Sequence, residues 1–418
     1  MNAAAAAAAS TAATAPPLAL YLHFPWCVRK CPYCDFNSFT LHGELAEGDY
    51  LAALASDVLG QAAAVGDREI VSIFMGGGTP SLFSPAGIGR LLERISETLR
   101  FAPGMETTLE ANPGTIERGR FEDYRAAGIN RVSLGAQSFD AAQLRQLGRI
   151  HGPDEIRRSA DELHAAGLDN FNLDLMFALP GQTLAEALSD LESALALAPA
   201  HLSHYQLTLE PGTVFAGRPP TLPDDDVAWS MQQHCMERLA ASGFEQYEVS
   251  AHARAGRRCR HNLNYWRFGD YLGAGAGAHG KLTDPASGRI TRSRRPREPR
   301  RYLASAGDPP VSERLDSRDL PFEFALNAFR LNEGFTLELF EQRTGVRRER
   351  LHALLDGLAR KGLVESPEGE RWSASELGRR FLNDVIEAFL PTSSGREPVR
   401  SGAATPSLST SGRQLSQI

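Results

Sequence analysis

Six times between Leu18 and Gly243, a short apolar run is followed by a longer stretch with helical spacing. The apolar runs are Leu18–His23, Ile70–Met75, Glu106–Glu110, Asn130–Leu134, Phe171–Met176 and Ser203–Leu209. The helical stretches are Asp49–Ala64, Pro85–Leu99, Ile116–Ala127, Pro153–Ala166, Leu184–Leu197 and Asp225–Ala241. Strand–helix alternation with short links builds a parallel sheet covered by helices. Six units fall two short of the closed eight-strand barrel. The expected α/β architecture is therefore an open, partial (β/α)6 TIM-like barrel, with a flat doubly wound sheet as runner-up.

The pattern changes after the sixth unit. Gly256 to Arg301 holds Gly269, Gly273, Gly275, Gly277 and Gly280, then a run of arginines from Arg289 to Arg301. It reads as irregular structure linking two domains, the arginines as a solvated linker or a dock for anions. Helical spacing returns over Thr336–Arg343 and Arg347–Arg360. Gly362–Glu365 and Arg371–Ser373 read as a hairpin, and Ser375–Phe389 as a last helix. That order resembles a winged-helix module. The expected division is an Ala-rich tail (1–17), a core domain (18–250), a Gly/Arg-rich connection (251–315), a smaller, mainly helical winged-helix-like domain (316–390) and a Ser/Gly/Thr/Pro-rich tail (391–418). Both tails are expected to be disordered.

The five cysteines are an odd number, and Cys27, Cys31 and Cys34 crowd into one short stretch. That is a poor disulfide framework and a good set of metal ligands. Three thiolates on one loop can hold three corners of an iron–sulfur cube and leave one iron open to an exchangeable ligand. A zinc site completed by His23 or His42 is the alternative. Gly76-Gly77-Gly78-Thr79-Pro80 ends the second apolar run. It reads as a tight turn, or as backbone N–H and C=O groups bared to a ligand. In parallel α/β folds ligands sit at the carboxyl ends of strands. Cys27, Gly77, Glu110, Gln137, Asp174, Thr208 and Glu210 all fall at or near such ends and outline one mouth.

Tyr21-Leu22-His23-Phe24-Pro25-Trp26-Cys27, the cysteine triad and Gly76–Pro80 resemble the radical S-adenosylmethionine (SAM) superfamily, in its coproporphyrinogen-dehydrogenase-like branch. By order of motifs the resemblance runs from about Leu18 to Leu390. It implies a [4Fe–4S] cluster on Cys27, Cys31 and Cys34, with SAM chelating the fourth iron. It places Tyr21, Gly77 and Glu110 against that SAM. Gly78, Thr79, Gln137, Arg149 and Asp174 match positions that hold a second SAM in the dehydrogenase.

Two features select within the branch. The dehydrogenase has a further Cys two residues after the triad, where this chain has Phe36. The string His261-Asn262-Leu263-Asn264-Tyr265-Trp266, with Cys34-Asp35-Phe36-Asn37-Ser38, resembles the heme-chaperone (HemW) family. That resemblance implies binding heme as cargo and handing it to an acceptor protein. Coproporphyrinogen III dehydrogenation is the alternative. His261 is then a candidate iron ligand, Tyr265 and Trp266 flat faces for the porphyrin, and Arg257, Arg258 and Arg267 partners for propionates. A packed loop is the plainer reading of the same string, and His234, Cys235, Cys259 and His279 are rival ligands.

An electron donor is expected if SAM is cleaved, and a monomer or cluster-dependent dimer. The net charge of −7 argues against a nucleic-acid partner, although a DNA-binding iron–sulfur sensor is a third reading of the helical end. No apolar run approaches the ~20 residues that span a bilayer, so membrane contact is expected only transiently, through the acceptor. The first residues lack the Lys/Arg of a targeting signal, so the expected location is cytoplasmic.

Overall fold

A computed structural model describes residues 15–115, 120–367 and 369–391. Most of both tails and the start of the helix expected at Ile116 lie outside the described residues. The six expected units are present. Strands β1 (Leu18–Phe24), β2 (Glu69–Gly77), β3 (Arg100–Ala111), β4 (Arg131–Gln137), β5 (Phe171–Phe177) and β6 (His201–Gln206) alternate with α1 (Glu47–Gly60), α2 (Pro85–Ser96), α3 (Arg120–Ala126), α4 (Pro153–Ala165), α5 (Leu184–Ala196) and α6 (Asp225–Ala241). Each strand pairs in parallel with the next. β6 ends at Gln206, so Thr208 and Glu210 lie beyond it and hydrogen-bond each other.

One face of each strand is apolar. Leu18, Leu20, Leu22 and Phe24 of β1 and Ile73 and Met75 of β2 are fully or almost fully buried in one cluster with α1 and α2 side chains. Burial of each large side chain is worth about 1.5–3 kcal/mol. Residues of the opposite parity, Tyr21, His23, Ser72, Glu106, Glu110, Arg131 and Asp174, form the other face, because side chains alternate along a strand. That polar interior is why these strands lack the unbroken apolar character of a filled barrel.

The sheet does not stop at β1. Beyond β7 (Glu245–Gln246) and β8 (Ala251–Ala253) come α7 (Arg260–Trp266), then β9 (Asp270–Ala274), β10 (His279–Thr283), β11 (Ile290–Arg294), α8 (Pro299–Ala304) and β12 (Val311–Arg314). The sheet has twelve strands in the order β12-β11-β10-β9-β1-β2-β3-β4-β5-β6-β8-β7. β9 lies parallel to β1 on its far side; β10, β11 and β12 follow antiparallel. The expectation of irregular structure over Gly256–Arg301 is thus corrected. Its strands are short and broken by glycines, so no alternation shows in the sequence. The glycines are there because backbones cross: a Cβ on Gly273 would lie 1.8 Å from the His279 carbonyl oxygen.

The arginine run is not a solvated linker throughout either. Arg292 pairs with Glu323 and the buried Arg295 with Asp57. Asp57 on α1 also accepts from Gln61 Nε2 (3.0 Å), Gly275 N (3.1 Å) and Tyr302 Oη (2.9 Å). Burial raises this carboxyl; the Arg295 guanidinium and the other donors oppose it. The network clamps the extension to α1; the helix expected to run to Ala64 breaks at Gln61 and resumes as a single turn over Ala62–Val65.

The last segment packs on the far end of the sheet. α9 (Leu320–Ala328), α10 (Leu337–Thr344) and α11 (Glu349–Arg360) bury Phe324, Phe340 and Leu355 against Phe268 and Ile290. β13 (Phe335–Thr336), β14 (Val364–Glu365) and β15 (Arg371–Ala374) form a small sheet. The expected final helix is two short ones, α12 (Glu376–Arg380) and α13 (Leu382–Glu387).

Removing the Asp57 carboxylate strands a buried guanidinium. Asp57→Ala is expected to lower unfolding free energy by about 3–5 kcal/mol, measured by urea denaturation. Adding Arg295→Leu should restore part of that loss.

Candidate functional site

The cysteines lie on a loop pinned at both ends to the carboxyl end of β1. Trp26 and Cys27 pair in parallel with Phe39 and Thr40, and Leu41 N donates to Cys27 O at 2.8 Å. Within the loop, Lys30 Nζ donates to the carbonyls of Phe36 and Ser38, both at 3.0 Å. Outside it, Phe215 N donates to Pro32 O at 3.0 Å. Pro32 also presses on Gly148, whose φ is +70°; a Cβ there would lie 2.8 Å from Pro32 Cδ.

Cys27, Cys31 and Cys34 are free, half-buried thiols. Burial pushes Cys34 up to about 11 and raises Cys27, so it is a bound metal that would draw off their protons. Arg149 Nη1 lies 3.7 Å from Cys31 Sγ and Nη2 donates to Gly135 O at 2.8 Å. Among the described residues, no three Cys, His, Asp or Glu side chains converge as one metal ion requires. His23 has no ring nitrogen left to complete a zinc site. Tyr21 Oη is 3.0 Å from its Nδ1 and Asn37 O is 2.9 Å from its Nε2. Three thiols on one loop, each available to a different iron, fit a [4Fe–4S] cluster better than one ion.

The glycine run sits beside this loop for steric reasons. Gly77 has φ +111°, and a Cβ there would lie 2.3 Å from His23 Cε1. A Cβ on Gly78 would lie 2.6 Å from Trp26 O. The N–H groups expected to be bare are engaged: Gly78 N donates to Phe24 O (2.6 Å), Thr79 N to Trp26 O (2.7 Å) and Gly77 N to Glu110 Oε2 (2.9 Å). What the run still offers a ligand is carbonyl oxygen.

Glu110 ends β3 and points into the barrel. Burial first, then the nearby Asp174, push its carboxyl up to about 8. Asp174, raised by burial, accepts from Asn172 Nδ2 (2.8 Å) and Ser133 Oγ (3.3 Å). Two buried carboxyls with no cationic side chain bonded to either suit a cationic group. Gln137 closes β4 with φ +70°, unusual for a residue with a side chain, and its Oε1 accepts from Tyr205 Oη at 2.6 Å. Strain of this kind gathers at functional sites. The structure thus brings Tyr21, the three cysteines, Gly77–Thr79, Glu110, Gln137, Arg149 and Asp174 to one mouth and the interior beneath it. Residue-type reasoning missed Asn37. Its Nδ2 donates to Ala276 O and Arg297 O, both at 2.9 Å, tying the cysteine loop to the extension. Its place between Phe36 and Ser38 was the only signal.

His261, Tyr265 and Trp266 are elsewhere. α7 closes the amino end of the barrel. Glu106 accepts from Arg260 N (3.0 Å), His261 N (3.1 Å) and Cys259 Sγ (3.4 Å). His261 is 1% exposed, its Nδ1 3.0 Å from Ser72 Oγ and its ring tilted on Phe74 at 5.1 Å. Tyr265 packs on Tyr271, and Trp266 lies under Arg330. In this structure the three rings, expected to present faces to a porphyrin, are buried in the floor of the barrel. Arg258 and Arg267, expected near propionates, both pair with Glu333. No helix among the described residues is long and apolar enough to cross a membrane.

The profile of the radical SAM superfamily matches residues 21–194, and that of the HemN C-terminal domain residues 315–381. The chain is 48% identical to heme chaperone HemW of Escherichia coli (strain K12) over 380 residues, which covers 90% of this chain and 98% of the relative. It is 33% identical to heme chaperone HemW of Bacillus subtilis (strain 168) over 382 residues, covering 88% and 98%. The fold is similar to that of coproporphyrinogen III oxidase (HemN) from Escherichia coli, a radical SAM enzyme. The TM-score is 0.76 at 24% identity, covering 91% of this chain and 92% of that one.

The Glu110 carboxyl carries a sign for pH. Its folded pKa lies above its ordinary 4.5, at about 8. The neutral form is therefore favoured by folding, and stability falls as pH rises from about 4.5 to about 8. Urea denaturation of the cofactor-free chain across that range is expected to show the decline, and Glu110→Gln to flatten it.

Proposed function

The chain belongs to the radical SAM superfamily and, within it, to the HemW family of heme chaperones, and on that premise we propose that it binds heme and passes it to an acceptor protein. We assign the [4Fe–4S] cluster that the superfamily implies to Cys27, Cys31 and Cys34, with SAM on the open iron. The observation that supports this most is the meeting of the thiol loop with the Gly77–Glu110 hydrogen bond at one barrel mouth.

Each residue then has a role its chemistry allows. The cluster supplies an open coordination position and single electrons. The buried Glu110 and Asp174 carboxyls offer a counter-charge to the amino group of SAM. Gly77 and Gly78, whose Cα atoms pack against His23 and Trp26, offer it backbone carbonyl oxygens. Tyr21, held by His23, forms the wall beside it. Thr79, Gln137 and Arg149 line the same mouth, whether for one SAM or two. Arg149 also offsets thiolate charge at Cys31.

The alternative is oxidative decarboxylation of coproporphyrinogen III. The fold likeness to HemN favours it. Phe36, 39% exposed at the position where the dehydrogenase has Cys, weighs against it.

Anaerobic reconstitution is expected to yield about four irons per chain. Cys27→Ala, Cys31→Ala and Cys34→Ala should each lose them, while Cys235→Ala and Cys259→Ala keep them. Full iron in any triad variant would overturn the ligand assignment. Added hemin is expected to give a shifted Soret band. No shift would remove the chaperone reading, and growth of a dehydrogenase-deficient strain carrying this chain would favour the enzyme.

A further inference from the structure

His261, Tyr265 and Trp266 are buried, whereas the sheet extension presents exposed side chains beside the mouth. Tyr21 of β1 is in register with Gly273 of β9, His279 of β10 with Arg294 of β11, and Arg294 with Val311 of β12. Paired residues share one face of a sheet. The His279 carbonyl presses on Gly273, so its residue abuts the barrel directly. His23, at the mouth, lies within electrostatic reach of His279. The face therefore runs sideways from the mouth without a break.

We propose that heme docks on this face beside the cysteine loop, with His279 ligating its iron and Arg294 and Arg297 pairing with its two propionates. The proposal rests on the heme-chaperone reading. Four observations support it.

His279 is half-buried, and no described residue hydrogen-bonds its ring. Of the other histidines, His151 is bonded through both ring nitrogens, to Asn112 and Ala136, and His261 is sealed at 1% exposure, while the exposed His234 lies on α6 and the exposed His42 follows the cysteine loop. Burial and then Arg292, Arg294 and Arg297 hold the His279 pKa below its ordinary value. The imidazole is neutral at physiological pH, so a lone pair is free for iron.

The cations are unevenly committed. In the run from Arg289 to Arg301, Arg289 pairs with Asp284, Arg292 with Glu323, Arg295 with Asp57 and Arg301 with Glu298. Arg294, Arg297 and Arg300 are exposed and have no carboxylate partner among the described residues. Of these, Arg294 and Arg297 are the two whose charge reaches His279, alongside Arg292. Arg297 is steadied by Asn37, to which its Nε donates at 3.3 Å. A guanidinium without a carboxylate is the usual recognition group for one on a ligand.

Apolar side chains flank the group. Val311, in register with Arg294, is 61% exposed. Phe36, next to Asn37 on the cysteine loop, is also exposed. A ligand with a flat apolar body, two carboxylates and a metal that takes imidazole fits this set. A small dicarboxylate would leave Phe36 and Val311 uncovered.

Hemin is titrated into the full-length chain and followed at the Soret band. Wild type is expected to bind one hemin per chain with a shifted band. His279→Ala should weaken binding by about tenfold or more and lose the band position of imidazole ligation, and free imidazole should restore it. Arg294→Glu should weaken binding by about tenfold and leave the band where it is. His261→Ala should match wild type. If His279→Ala does not fold, as judged by circular dichroism and reconstituted iron, the exposed Arg294→Glu decides. Wild-type binding with both variants unchanged would overturn this site and leave the chaperone reading standing. No hemin bound by wild type would overturn both.

Discussion

Two backbone hydrogen bonds hold the site together. The carbonyls of Phe24 and Trp26 take the N–H groups of Gly78 and Thr79. They fasten the end of the second strand to the start of the cysteine loop, and they need backbones closer than any Cβ permits. Glycine at 77 and 78 is thus a packing requirement. With the donors used, the strand end presents carbonyls, and Gly77 N is left to aim at Glu110. The loop's position, the orientation of the carboxyl and the space for a cofactor follow from one close approach.

A barrel that leaves its interior for ligands must keep that interior polar and still satisfy it. Glu106 receives the amino end of α7, and Arg131 lies within its electrostatic reach. Asn172 bonds Ser133, Asp174, His201 and Ser203. These bonds matter because an unpaired buried polar atom costs about 1–3 kcal/mol; Thr108 Oγ1, Arg131 Nε and His261 Nε2 are buried without one. His261 belongs to this network. A residue that looks like a ligand by type is, by placement, part of the floor beneath Tyr21 and Phe74.

The extension β9–β12 gives the mouth a second wall. Asp57 and Asn37 are its two anchors, one to α1 and one to the cysteine loop. Both bond backbone groups from segments more than 200 residues away. The cluster loop is therefore held by the part of the chain that also presents His279 and Arg294.

Much of this was legible beforehand. Apolar runs of five to seven residues between helical stretches identify six strands, since covered parallel strands need apolar residues on the helix side. The triad's spacing names its chemistry, because thiolates on one loop are a local property. Polar residues at strand ends point to the mouth, since parallel strands all end on one side. The role of the extension was not legible. β9 joins the sheet beside β1, some 250 residues earlier, and pairing at that separation leaves no mark in local sequence. Nor does residue type tell whether a histidine is sealed under a barrel or open beside its mouth. Local spacing determined the strands, the helices and the thiol loop. Long-range pairing alone decided that His261 is floor, that His279 is half-buried beside the mouth and that Arg294 and Arg297 have no carboxylate partner among the described residues, because burial and charge pairing are set by what folds on top.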